Sequence, residues 1–123
     1  MVYREDKVSD LVGKTLVKCE NTGDIRFETT DGEVFVLTHH QDCCENVQID
    51  DVCGDLNDLV GSPLIQAEEV SNYDGPEPGE RGYDSSYTWT FYRFATAKGF
   101  VTIRWFGTSN GYYSESVSFD KIK

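Results

Sequence analysis

Apolar and polar side chains alternate with period two through most of this chain, and glycine-bearing turns interrupt the alternation at short intervals. That pattern constrains the fold more than any other feature, because period two belongs to strands with one buried face. The runs are Thr15–Glu20, Ile25–Thr29, Glu33–His39, Val47–Val52, Pro63–Val70, Tyr87–Thr96, Phe100–Phe106 and Tyr112–Phe119. Asn21-Thr-Gly-Asp24, Asp31-Gly32, Lys98-Gly99 and Asn110-Gly111 supply the turns.

Two segments read differently. Residues 3–12 place Val8, Leu11 and Val12 on one helical face, with Gly13 as the stop, and Asp55–Val60 forms a second short helix closed by Gly61. The expected fold is therefore α+β: a single domain of roughly seven to eight antiparallel strands with two short helices. Residues 71–86 are rich in Gly, Pro and acids, and read as one long loop.

Charge divides the chain. From Gln41 to Glu80 there are eleven acidic side chains and no Lys or Arg, and this stretch accounts for the whole net charge of −11. Such a chain does not suit nucleic acid, whose phosphates call for Lys and Arg. It suits a basic protein partner, since opposite potentials speed encounter and fix orientation. Asp50, Asp51, Asp55, Asp58, Glu68 and Glu69 are the candidate contacts, and Asp74, Glu77 and Glu80 can add to them. No apolar run approaches the ~20 residues of a membrane helix. The first residues lack the apolar segment of a secretion signal, so the expected location is the cytoplasm.

In a reducing compartment a cysteine is a core residue, a nucleophile or a metal ligand. His39-His40-Gln41-Asp42-Cys43-Cys44 holds both histidines and two of the four cysteines. Phase along Glu33–His39 puts Phe35, Leu37 and His39 on the core face and sends His40 outward. His39 and Cys43 converge if residues 40–43 turn back, and Cys44 joins them only with a kinked backbone. His40, Asp42, Cys53 or Glu69 could complete a four-ligand zinc site. The plainer alternative is a hydrogen-bonded core histidine with packing thiols. A Cys43 nucleophile oriented by Asp42 or Glu45 is disfavoured, because the surrounding acids oppose thiolate formation. Trp89 and Phe91 share one strand face, as do Phe100, Thr102, Arg104 and Phe106, and most of these aromatics read as packing residues.

Five motifs carry a resemblance that covers nearly the whole chain: His39-x-Gln-Asp-Cys-Cys-Glu45, Gly54-Asp-Leu-x-Asp-Leu-Val-Gly61, Ala67-Glu-Glu-Val-Ser71, Tyr87-Thr-Trp-Thr-Phe-Tyr92 and Ser109-Asn-Gly-Tyr-Tyr-Ser-Glu-Ser116. In these the chain resembles a family of small proteins of phages and their bacterial hosts. Within it, the chain is similar to zinc-containing type II-A anti-CRISPR proteins of streptococcal phages, which inhibit Cas9. The resemblance implies a structural Zn²⁺ held by His39, Cys43 and Cys44, with the fourth ligand open. It also implies docking on the Cas9 recognition lobe so that target DNA does not load, without turnover. Two alternatives are a small-molecule sponge against another defence system, with Tyr112-Tyr113 in its pocket, and a zinc-dependent hydrolase.

Overall fold

The structure is a computed structural model and describes residues 4–5, 7–41, 44–72, 86–109 and 115–123. Nine strands run in chain order: β1 (Arg4–Glu5), β2 (Leu16–Asn21), β3 (Ile25–Thr29), β4 (Val34–Thr38), β5 (Asn46–Cys53), β6 (Gln66–Asn72), β7 (Ser86–Thr96), β8 (Gly99–Ser109) and β9 (Ser118–Lys121). They form two antiparallel sheets. One has the order β1-β9-β4-β3-β2 and the other β5-β8-β7-β6.

The α+β expectation is corrected to an essentially all-β architecture. Each expected helix is a single four-residue 3₁₀ turn, Val8–Leu11 and Leu56–Leu59. The reason lies in the spacing of the apolar residues. Val8 and Leu11, like Leu56 and Leu59, are three apart, and one 3₁₀ turn brings such a pair onto one side. Leu11 and Leu59 are fully buried, whereas Val12, expected on the same face as Leu11, is 48% exposed. Residues as few as these form no stable helix on their own. Upstream, Arg4 and Glu5 pair with Lys121 and Asp120 instead of extending a helix.

The first meander forms where its strand runs and turns were expected. Asn21 pairs with Ile25 across the β2–β3 turn, and Phe27 pairs with Phe35 across β3–β4. The last expected strand, Tyr112–Phe119, does not fold back on β8. Residues 110–114 lie outside the described residues, 115–117 are irregular, and β9 pairs in the other sheet with β4, Leu37 opposite Phe119. The chain therefore crosses between layers at residues 115–117. Gly107 permits that crossing: a Cβ there would sit 2.9 Å from the carbonyl oxygen of Glu115 and 3.1 Å from a Val47 methyl.

Between the layers lies one apolar core. Phe27, Phe35 and Phe119 from the first sheet meet Tyr92, Phe94 and Trp105 from the second, all 2% exposed or less. Phe27 and Phe94 touch across the layers with ring centroids 5.2 Å apart. Phe35 and Phe119 stack at 5.2 Å within the first sheet. Each such side chain contributes about 1.5–3 kcal/mol by leaving water. Cys19 joins this core, and burial pushes its thiol up to about 12. At the rim, Glu33 accepts from Lys14 at 2.6 Å and Lys121 at 2.8 Å. The hydrogen bonds from Lys121 and then Lys14 hold its carboxyl below the usual range. No helix among the described residues is long and apolar enough to cross a membrane.

Candidate functional site

His39 follows directly on β4, and Glu45 directly precedes β5, so these two residues close the passage from one sheet to the other. The imidazole is 5% exposed and the Glu45 carboxylate fully buried, with Nε2 and Oε2 2.8 Å apart. The other ring nitrogen, Nδ1, lies 2.8 Å from the Ser116 carbonyl oxygen. Both ring nitrogens thus face oxygen acceptors, and both hydrogen bonds form together when the ring carries two protons. Gln41 adds a donor, its Nε2 reaching the Glu45 backbone oxygen at 2.6 Å.

One more buried carboxylate, Glu115, adjoins this pair through the neighbouring Ser116. Glu115 accepts from Thr88 Oγ1 at 2.8 Å and from the Ser109 hydroxyl, which fastens the crossing segment to β7 and β8. On the other face of the first sheet, Asp120, in register with Val36, is 1% exposed as a side chain and lies 2.8 Å from Nε2 of the half-exposed His40. His39, Glu45 and Glu115 with their partners form a polar clasp between layers. Its carboxylates are met by an imidazole and hydroxyls, as buried charges require.

The second feature is the solvent side of the four-stranded sheet. Register places Val70, Phe91, Arg104 and Asp51 in one row across β6, β7, β8 and β5, and Asn72, Trp89, Phe106 and Gln48 in the next. Trp89 and Phe106 touch with centroids 4.5 Å apart, and the Arg104 guanidinium sits 5.0 Å above the Trp89 ring. Phe100, on the same face, is 71% exposed and Val70 40%. On β5 the alternation breaks between Ile49 and Asp51. That bulge leaves Asp50 and Asp51 both exposed, while Ile49 and Val52 turn inward. Asp50 takes the Arg104 guanidinium through Nε at 2.7 Å and also through Nη2. On the opposite edge Glu68 accepts from Gln66 at 3.0 Å and lies 3.6 Å from Arg93.

The family described as Domain of unknown function (DUF7448) matches residues 9–119. The chain belongs to this family. No curated protein and no solved structure matches it.

In this DUF7448 chain the described members of the expected ligand set, His39, His40, Cys44, Cys53 and Glu69, do not come together as a metal centre. His39 is turned inward as phase required, yet both its nitrogens are engaged. Cys44 is exposed and disulfide-bonded, so it presents no thiolate in this state. Cys43 and Asp42 lie outside the described residues. His40 lies against Asp120, Cys53 is an exposed free thiol at the end of β5, and Glu69 is exposed on β6. Among the described residues no group of three or more His, Cys, Asp or Glu side chains could hold a metal ion.

The six candidate acids distribute along the sheet margins. Asp50 and Asp51 lie on one edge strand and Glu68 and Glu69 on the other, separated by the two inner strands, roughly 14 Å. Asp55 is used locally, its carboxylate accepting from Asn57 N at 2.9 Å to cap the second 3₁₀ turn. Asp58 lies over Gly99, where a Cβ would come within 2.9 Å of its carboxylate. Asp74, Glu77, Glu80 and Tyr112-Tyr113 fall outside the described residues.

Sequence reasoning did not find the pairing of Glu45 with His39, or the solvent-side position of Trp89, Phe91 and Phe106. A signal for the bulge was present. The apolar positions 47, 49 and 52 break period two between 49 and 52, which is where Asp50 and Asp51 stand. No comparable signal separates the faces of β7, since Trp89 and Phe91 alternate with Tyr92 and Phe94 and both sets are bulky.

Proposed function

We propose that this chain is a binding protein that docks the solvent side of its four-stranded sheet onto a basic protein surface and acts by occupying it. One observation carries the reading: an aromatic centre built from Phe91, Phe106 and Phe100 lies between two sheet edges that carry carboxylates. Protein interfaces have this anatomy, with aromatic anchors inside and a polar rim outside. The acidic rim steers a positively charged target into register, and the aromatic centre holds it. Cas9, the target implied by the sequence resemblance, keeps nucleic acid in positively charged channels. Docking on its recognition lobe, in the cytoplasm of the host cell, would keep target DNA out without any turnover.

The test is complex formation between the purified chain and guide-loaded Cas9, followed across salt concentrations. The expected result is a stoichiometric complex that excludes target DNA and weakens as salt screens the rim. Replacing Asp51 and Glu68 together by Lys should weaken it roughly tenfold. Absence of a complex, or a complex indifferent to both salt and charge reversal, overturns the reading.

The structural zinc implied by the same resemblance would require His39 to release Glu45 or Ser116 and Cys44 to be reduced. Elemental analysis of protein purified with and without reductant tests it. Near one zinc per chain under reducing conditions supports the site, and none under either condition removes it.

A further inference from the structure

The solvent face of the four-stranded sheet has a shallow hollow of about 300 Å³, lined by Asp51, Cys53, Phe91, Thr102 and Arg104. Its floor is low because Thr102 is short and stands between longer neighbours on β8. We infer that this hollow receives a single cationic side chain, Arg or Lys, from the docked protein. This inference rests on the docking reading above and specifies which chemistry the sheet face recognises.

Charge decides against an anion. Among the described residues the one cation in the lining is Arg104, which is bound by Asp50 and held over Trp89, so its guanidinium is already neutralised. Asp51 has no ion pair or side-chain hydrogen bond among the described residues, and the bulge presents it at the hollow's edge. On this face Asp50 engages Arg104 and Glu68 lies 3.6 Å from Arg93, which leaves Asp51 as the carboxylate without a cation among the described residues. A cation entering between Phe91 and Asp51 meets a π face on one side and a carboxylate on the other. A neutral apolar side chain would gain the ring but leave Asp51 partly desolvated and unpaired.

The test uses a minimal probe, N-acetyl-arginine amide, titrated into the full-length protein while amide shifts are followed by NMR. N-acetyl-norleucine amide is the neutral control. The expected result is saturable shifts confined to Asp51, Cys53, Phe91, Thr102 and Arg104, present for the arginine probe and absent for the norleucine probe. Asp51→Asn should weaken the arginine probe roughly fivefold, and Thr102→Met, which fills the hollow, should abolish its effect. Signals distant from the face report whether each variant is folded, and the two-probe comparison on the unaltered protein stands without them. Equal shifts from both probes, or shifts spread over every acidic residue and unchanged by Asp51→Asn, overturn the inference. A complex with Cas9 combined with no seat for the arginine probe would retain the docking reading and remove this receptor. A seated probe with no Cas9 complex would do the opposite.

Discussion

Two regions of this molecule are built from the same kinds of residue and put them to opposite uses. In the clasp between layers, Glu45 and Glu115 are buried against His39, Thr88 and Ser109. On the solvent side of the four-stranded sheet, Asp50 engages Arg104 at the surface while Asp51 faces water. The run of acids from Gln41 to Glu80 feeds both regions, so a high local charge density does not by itself mark a binding surface. Burial divides its members. A carboxylate enclosed with a partner fixes the fold, and one exposed beside aromatic rings is available to a ligand.

The strongest way to break this comparison is to damage the clasp and look for an effect on binding. His39→Ala leaves the Glu45 carboxylate buried without its imidazole and should cost about 3–5 kcal/mol of stability. Chemical denaturation measures it. At temperatures where the variant stays folded, its affinity for a basic partner should show the unaltered salt dependence. A variant of normal stability would mean that Glu45 is held by something other than the imidazole.

The complementary change acts on the sheet face. Asp51→Lys with Glu68→Lys should move stability by less than about 0.5 kcal/mol, as exposed substitutions do. The same pair should lower partner affinity roughly tenfold, mostly through slower association. A large loss of stability instead would place these acids with the clasp. Surface plasmon resonance and thermal melting on one preparation separate the two outcomes.

A smaller effect concerns pH. Because Lys121 and Lys14 hold the Glu33 carboxyl below its ordinary range, its contribution is complete above about pH 4.3. It is lost as pH falls through the lowered folded value. Since the three side chains sit at the surface, the loss should stay under about 1 kcal/mol, and Glu33→Gln should remove that part of the acid dependence. Cys19 behaves in the opposite sense. Its raised thiol favours the folded state below the ordinary value of 9.0, and this advantage fades as pH climbs toward about 12. Melting temperatures measured from acid to alkaline pH read both.

Much of the fold was legible because local pattern and tertiary pairing agree in β2, β3, β4 and the β7–β8 hairpin. Phase alone turned His39 inward. The misread elements are those where long-range pairing overrode local pattern. Val8 and Leu11 need only one 3₁₀ turn, and Arg4-Glu5 is captured by β9. The alternation through Ser116–Phe119 gives no sign that the chain changes sheets, because a strand reads the same in either layer. Glu45 as the partner of His39 was equally hidden, since nothing local distinguishes a buried carboxylate from the solvated acids beside it. The solvent side of the four-stranded sheet was half legible: Asp50, Asp51 and Glu68 were named from charge, but β7 is bulky on both sides and does not say which set of aromatics meets solvent.

The docking of the sheet face has a direct reporter in two free thiols among the described residues. Cys53 is exposed on the wall of the hollow, whereas Cys19 is buried with its thiol held protonated. Alkylation of the folded protein, read by mass spectrometry at each cysteine, should therefore modify Cys53 and spare Cys19. Adding guide-loaded Cas9 should slow Cys53 modification in proportion to the fraction bound. If a complex forms and Cys53 reacts at its free rate, the partner sits elsewhere, and the sheet face is not the binding surface.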